Sequence, residues 1–144
     1  MNLKHLAESL VRKYKTRDPF RLAELLGLTV IRTSLRGIRG FYQYVSRCGI
    51  IYIDGALTKQ EARFVCAHEI GHALLHRGYN RIFMDAHTYF AINRFEIEAN
   101  RFAVDFLFDD DDLRDLLEYP VQLAADCMGI SVELAEYRFQ SVNR

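Results

Sequence analysis

The sequence predicts an α+β domain, with a roughly three-stranded, mostly antiparallel sheet packed on helices. Runs of β-branched and aromatic residues cluster within residues 29–54, punctuated by glycines. Apolar residues recur at helical spacing on both sides of that block. The chain has 144 residues, half of them hydrophobic, which is enough for one domain with its own core. One domain is expected over 1–144, with 113–144 as its C-terminal helical extension.

The elements follow in order. Leu3, Leu6, Ala7, Leu10 and Val11 lie on one helical face. Asp18-Pro19 supplies a cap and a first-turn proline for a second helix through Leu26, which Gly27 ends. Residues 29–35 read as a strand. Residues 41–46 and 49–54 read as an antiparallel hairpin turning at Arg47-Cys48. Thr58 and Glu61 form a capping-box pattern that starts a helix ending at about His76. Residues 79–93 lack clean periodicity and read as irregular. A helix is expected over 94–108, then an acidic run, Asp109 to Asp112, as a solvated loop or helix start. Two short helices, 120–127 and 132–141, are divided by Gly129, with Ser131 capping the second.

The balance of 19 basic and 19 acidic residues carries no electrostatic footprint for general nucleic-acid binding. Cys48, Cys66 and Cys127 are odd in number and widely spaced, which suits a reducing compartment. The first sixteen residues lack the continuous apolar core of a signal peptide, and no apolar run is long enough for a membrane span. A cytoplasmic protein that makes no membrane contact is expected.

The chemistry is concentrated in His68-Glu69-Ile70-Gly71-His72. Histidines four apart on a helix sit about 40° apart on one face, so both imidazoles can reach one metal ion. Glu69 lies beside them, placed to take a proton from an attacking water rather than to bind the metal. A catalytic zinc site takes three protein ligands, so a third must be found. The three-histidine class needs glycine and histidine where this chain has Leu75 and Gly78. His76 lies about 12 Å along the helix from His68. It reads instead as a satisfied helix-end residue or a group supporting the ligands.

The 94–108 helix offers Glu96 and Glu98. With Glu96 at 0° on a helical wheel, Ala99, Ala103, Leu107 and Asn100 fall within about 60° of it. Glu98 falls at about 200°, with Arg94, Arg101 and Asp105 at about 140–180°. Glu96 is therefore expected on the buried face, where a carboxylate must be paired or metal-bound. Glu98 is expected in solvent. Asn100, one turn from Glu96, is placed to orient a ligating imidazole.

These residues resemble the ImmA/IrrE family of metallo-endopeptidases, small zincins of the gluzincin type (minigluzincins). The matching segments are A-H-E-I-G-H-A-L-L-H, Ala67 to His76, and E-I-E-A-N-R-F-A, Glu96 to Ala103. G-I-I-Y-I-D, Gly49 to Asp54, matches as well, as does the order of two helices, strands and metal helix. The likeness covers most of 18–108. It implies His68, His72 and Glu96 as ligands of Zn2+ and Glu69 as general base. It also implies that the substrate is a repressor with a helix-turn-helix domain, cleaved to relieve repression in a mobile element, prophage or stress response. The family often carries Leu-Met-Pro after its ligand helix, where this chain has Phe106-Leu107-Phe108-Asp109. Main-chain pairing of an extended substrate is expected along 49–54 as an edge strand. Tyr89, His87, Tyr79 and His76 are equal candidates for stabilising the oxyanion.

The alternative is a non-enzymatic zinc protein that binds DNA or a repressor. Residues 120–138 have the helix, glycine turn, helix rhythm of a helix-turn-helix, but its second helix sets Glu133 and Glu136 against Arg138 alone. That argues against direct nucleic-acid binding. A closed structural site would need a fourth ligand, such as His87 or Cys48.

Overall fold

The computed structural model describes residues 2–76 and 89–142, with backbone alone for 89–92. The first two helices form as their caps dictate. Helix α1 (Leu3–Tyr14) starts where the Asn2 side chain accepts from the His5 amide, and α2 (Pro19–Leu25) where Asp18 accepts from Phe20. The three strands are β1 (Thr29–Thr33), β2 (Gly40–Val45) and β3 (Cys48–Asp54). In β3, Gly49, Ile51 and Ile53 are buried and alternate with half-buried neighbours, the period-2 pattern of a strand with one face on the core.

Two details of the sheet differ from expectation. The strand order is β1-β3-β2, with β1 parallel and β2 antiparallel to β3, so the sheet is mixed. β3 is therefore central, and the edges are β1 and β2. The parallel pairing arises because 34–39 carry the chain across to the far side of β3. The hairpin turns at Ser46-Arg47, one residue earlier than expected, and both residues have positive φ (51° and 65°). That is a tight two-residue turn whose twist matches the strands, built here without glycine.

Helix α3 (Lys59–Leu75) carries the complete capping box: the Glu61 amide donates to Thr58 Oγ1 at 3.2 Å, and the Thr58 amide to Glu61 Oε1 at 2.9 Å. It packs against α2, β2, β3 and helix α4 (Tyr89–Leu107). α4 begins at Tyr89, earlier than position 94, and the rest of the expected irregular stretch lies outside the described residues. Phe102 and Phe106 of α4 join Ile51, Ile53, Ile70 and Leu22 in the main core.

The C-terminal part comprises α5 (Asp110–Arg114), a 3-10 turn (Asp115–Glu118), α6 (Val121–Met128) and α7 (Val132–Phe139). It has a smaller cluster of its own around Leu113, Met128 and Val142. Asp109 of the acidic run caps α5. The departure at Phe106–Asp109 is managed by two arginines. Arg17 donates to the Phe106 carbonyl at 3.0 Å, and Arg138 to the Phe108 carbonyl at 2.7 Å. Both occupy carbonyls that a helix end leaves without helical partners. Among the described residues, no helix is long and apolar enough to cross a membrane.

α7 also corrects the wheel reading of α4. Asp105, expected in solvent, is fully buried, because α7 covers the back of α4. Tyr137 donates to Asp105 Oδ2 at 2.5 Å, while Oδ1 faces Arg138 Nε at 3.8 Å with no hydrogen-bond partner among the described residues. Burial lifts the Asp105 carboxyl from 3.8 to about 6, against the pull of Tyr137 and Arg138. The fold thus prefers the neutral carboxyl. Its contribution is complete below pH 3.8 and is lost as pH rises through about 6. Asp105→Asn keeps an acceptor for Tyr137 and removes the ionisation. In urea unfolding at pH 4 the variant should match the parent, and at pH 7.5 exceed it by about 2–3 kcal/mol. Parallel pH profiles would show that the Arg138 charge compensates the burial.

Candidate metal centre

The site forms where α3 crosses α4 at close range. Small residues make that approach possible. A Cβ on Gly71 would lie 3.2 Å from both Ala99 Cα and Phe102 Cδ1. Ala99 and Ala103 are fully buried on the facing side. The closeness lets side chains of α4 reach the histidine face of α3.

Three side chains converge there. His68 Nε2 is 2.9 Å from Glu96 Oε2, His72 Nε2 is 3.2 Å from Glu96 Oε1, and the two Nε2 atoms are 3.1 Å apart. A tetrahedral zinc with bonds of about 2.0–2.1 Å has donor-to-donor edges of about 3.3 Å. The observed triangle is slightly tighter than that, and two imidazoles with one carboxylate are a donor set suited to zinc. The donor chemistry and the spacing both fit an ion.

Glu69 stands beside the triangle rather than in it. Its Oε2 is 3.8 Å from His68 Nε2, though its donor atoms, with those of His68 and His72, all lie within 4.8 Å of one another. Its side chain is buried, and burial raises its carboxyl from 4.5 to about 7, the nearby His68 opposing and Glu96 reinforcing. Glu96 behaves in the opposite way. Burial pushes it up, but hydrogen bonds to His68 and His72 outweigh that and hold it well below the usual carboxylate range. Burial pulls the His72 imidazole down. For His68 the same pull is overcome by its contacts with Glu96, Glu69 and Asn100, and its imidazole is raised.

Both imidazoles are also held from behind. Asn100 Oδ1 lies 2.7 Å from His68 Nδ1. An amide oxygen can only accept, so His68 Nδ1 carries a hydrogen and its Nε2 faces the site. His72 Nδ1 lies 3.0 Å from His76 Nδ1, and His76 Nε2 lies 3.1 Å from Glu98 Oε1.

Several expectations change here. Glu96 is not the more buried glutamate: its side chain is 41 % exposed, against 31 % for Glu98. Convergence on the histidines, not burial, distinguishes it. Glu98 is not a solvated charge, because the end of α3 brings His76 to it. His76 sits on the Nδ1 side of His72, away from the triangle. Tyr79 and His87 lie outside the described residues, as does the side chain of Tyr89. Cys48 lies at the end of the hairpin, paired with Val45, and is exposed. Arg138, the basic residue of the helix-turn-helix-like segment, is fully buried and bound to Asp110 at 2.7 Å, so it cannot meet a phosphate. The sequence reading missed Glu98. The signal for it was His76, one helical turn after His72 at the end of the same helix.

The profile of a family described as the IrrE N-terminal-like domain, peptidase M78, matches residues 23–140. Immunity region protein 2 of Bacillus phage phi105 is 42 % identical over 109 residues, covering 75 % of this chain and 69 % of that protein. Metallopeptidase ImmA of Bacillus subtilis strain 168 is 24 % identical over 119 residues, covering 81 % of this chain and 69 % of that one. Among solved structures, a Mycobacterium tuberculosis transcriptional regulator superposes with a TM-score of 0.62 at 18 % identity. The superposition covers 99 % of this chain, which spans about half (47 %) of that regulator, and it speaks for the fold alone.

Proposed function

The chain belongs to the M78 family of peptidases with the IrrE N-terminal-like domain, and from that premise we propose that it is a zinc-dependent endopeptidase acting on a helix-turn-helix repressor. The observation that carries the catalytic part is the triangle of His68, His72 and Glu96 with Glu69 beside it. His68, His72 and Glu96 would hold the ion. When bound, zinc supplies a Lewis acid that polarises the scissile carbonyl and lowers the pKa of a water to about 7.

The rest is done by the chain. Glu69, raised to about 7 by burial, has the affinity a general base needs at neutral pH: it takes the proton of the attacking water and passes it to the leaving amine. Asn100 keeps His68 Nε2 turned to the site. The edge available for an extended substrate is β2 rather than β3, since β2 is both an edge and a strand against which α3 packs.

The substrate class rests on the relatives. One is an immunity region protein of a phage, and another is named metallopeptidase ImmA. The test is incubation of the zinc-loaded chain with a helix-turn-helix repressor, chosen from any encoded beside it, read by intact mass. One discrete cut, abolished by a chelator and restored by zinc, is expected. An uncut repressor alongside tight zinc binding would leave a metal protein without this activity.

A further inference from the structure

The zero formal charge hides an asymmetry. Residues 1–58 carry ten basic side chains against four acidic ones, and residues 109–140 carry nine carboxylates against two arginines. Both arginines of the C-terminal part are engaged within it: Arg138 is fully buried on Asp110, and Arg114 pairs with Asp111. Seven of the nine carboxylates are exposed. The surface of this part is therefore strongly negative.

An open apolar groove of about 290 Å³ lies within it. The chain leaves the 3-10 turn through Tyr119, in extended backbone, and enters α6 at Val121. Leu116, Leu117, Tyr119 and Val121 line the groove from this bend, and Glu136 and Phe139, three apart on one helical face, line it from α7. Leu116, Leu117 and Phe139 also pack against the cluster of Leu113, Met128 and Val142, so the fold itself holds the groove in shape. Among the described residues, Tyr119 and Leu123 are the most exposed large apolar side chains, at 53 % and 47 %. Each stands two residues from Val121. An exposed apolar patch with a polar rim marks an interaction surface.

We propose that this groove is a docking surface for a basic amphipathic helix of the repressor substrate, separate from the metal centre. The choice of partner rests on the repressor reading above. Apolar side chains of such a helix, three and four residues apart, fit a groove of this kind. Its Lys and Arg side chains meet Glu136, which lines the groove, and Asp115 and Glu118, which bracket Leu116-Leu117 in sequence. A DNA-binding domain concentrates Lys and Arg to meet phosphates, and carboxylates attract the same side chains. DNA itself is repelled. A second copy of the chain fits less well, since Lys4, Arg17 and Arg21 of its basic half are already paired with carboxylates of their own chain. Docking here leaves the chemistry untouched, because α7 packs on the back of α4.

The first test uses an amphipathic Lys/Leu helical peptide, with its Glu/Leu counterpart as control, titrated into 15N-labelled protein. Shifts centred on Leu116, Leu117, Tyr119, Val121 and Phe139 are expected with the Lys/Leu peptide alone. Glu118→Lys with Glu136→Lys should weaken binding about tenfold at low salt and less at high salt. Tyr119→Ser should weaken it about tenfold at either salt. Asp126→Lys with Glu133→Lys changes the net charge equally but lies outside the groove lining, and should have the smaller effect. Shifts centred elsewhere, retained affinity in either groove variant, or the same loss in the control pair would overturn the proposal. So would a dimer of the parent, seen by sedimentation, that the groove variants dissolve, which gives the groove to a second copy. With a repressor that the parent cleaves, Glu118→Lys with Glu136→Lys should raise KM about tenfold and leave kcat unchanged. An unchanged KM removes the repressor as occupant while the protease reading stands. If no repressor is cleaved, the protease reading fails, and the peptide titrations still decide what the groove binds.

Discussion

Glu69→Gln is expected to lower the rate of peptide-bond hydrolysis by about 10²–10⁴-fold while leaving zinc content unchanged. Gln is the same shape and fills the same buried space, but it has no basic oxygen to take a proton from water. Metal content should hold, because Glu69 stands 3.8 Å from the nearest histidine nitrogen and outside the donor triangle. Stability separates this from general damage. The Glu69 carboxyl is raised from 4.5 to about 7, so the fold favours its neutral form. The corresponding stability is complete below pH 4.5 and is lost as pH rises through about 7. In the metal-free protein at pH 8, Glu69→Gln should therefore be more stable than the parent, by up to about 3 kcal/mol. A variant that is stable, loaded with zinc and inactive is the expected combination. Undiminished cleavage would remove Glu69 from the mechanism.

Local chemistry made much of the fold legible. Caps at Asp18, Thr58 and Ser131 set helix starts because each depends on residues within one turn. The order of the strands was not legible, since it depends on where 34–39 carry the chain rather than on any strand's own pattern. The His68–His72 pair was readable because four residues of helix fix its geometry. The α4 side of the site was readable only in part. A helical wheel assumes one buried face and one wet face. α4 has α3 on one side and α7 on the other, so Asp105 is buried where solvent was expected. Glu98 likewise meets His76. Glu96 was singled out by an argument from burial that its 41 % exposure does not support. What distinguishes it is contact with two imidazoles, a tertiary fact that no wheel contains.

That distinction yields the largest expected effect on the metal. Glu96→Ala removes one of three converging donors, whereas Glu98→Ala removes a group two bonds of the hydrogen-bond chain away from His72. Loss of an orienting partner costs about 10–100-fold in affinity, and loss of Glu96 should cost more than that. The electrostatics point the same way. Glu96 remains ionised because His68 and His72 hold it well below the carboxylate range, so it brings a full negative charge to the triangle. Without it, two imidazole nitrogens face each other 3.1 Å apart with no anion between them. Protonating one of them then becomes an alternative to binding an ion, and zinc uptake by Glu96→Ala should weaken further as pH falls. Chelator competition on the parent, Glu96→Ala and Glu98→Ala should rank Glu96→Ala weakest, Glu98→Ala intermediate and the parent tightest. Equal losses in the two variants would mean that the carboxylate nearest the histidines is not a ligand, and the third donor would have to be sought elsewhere in the chain.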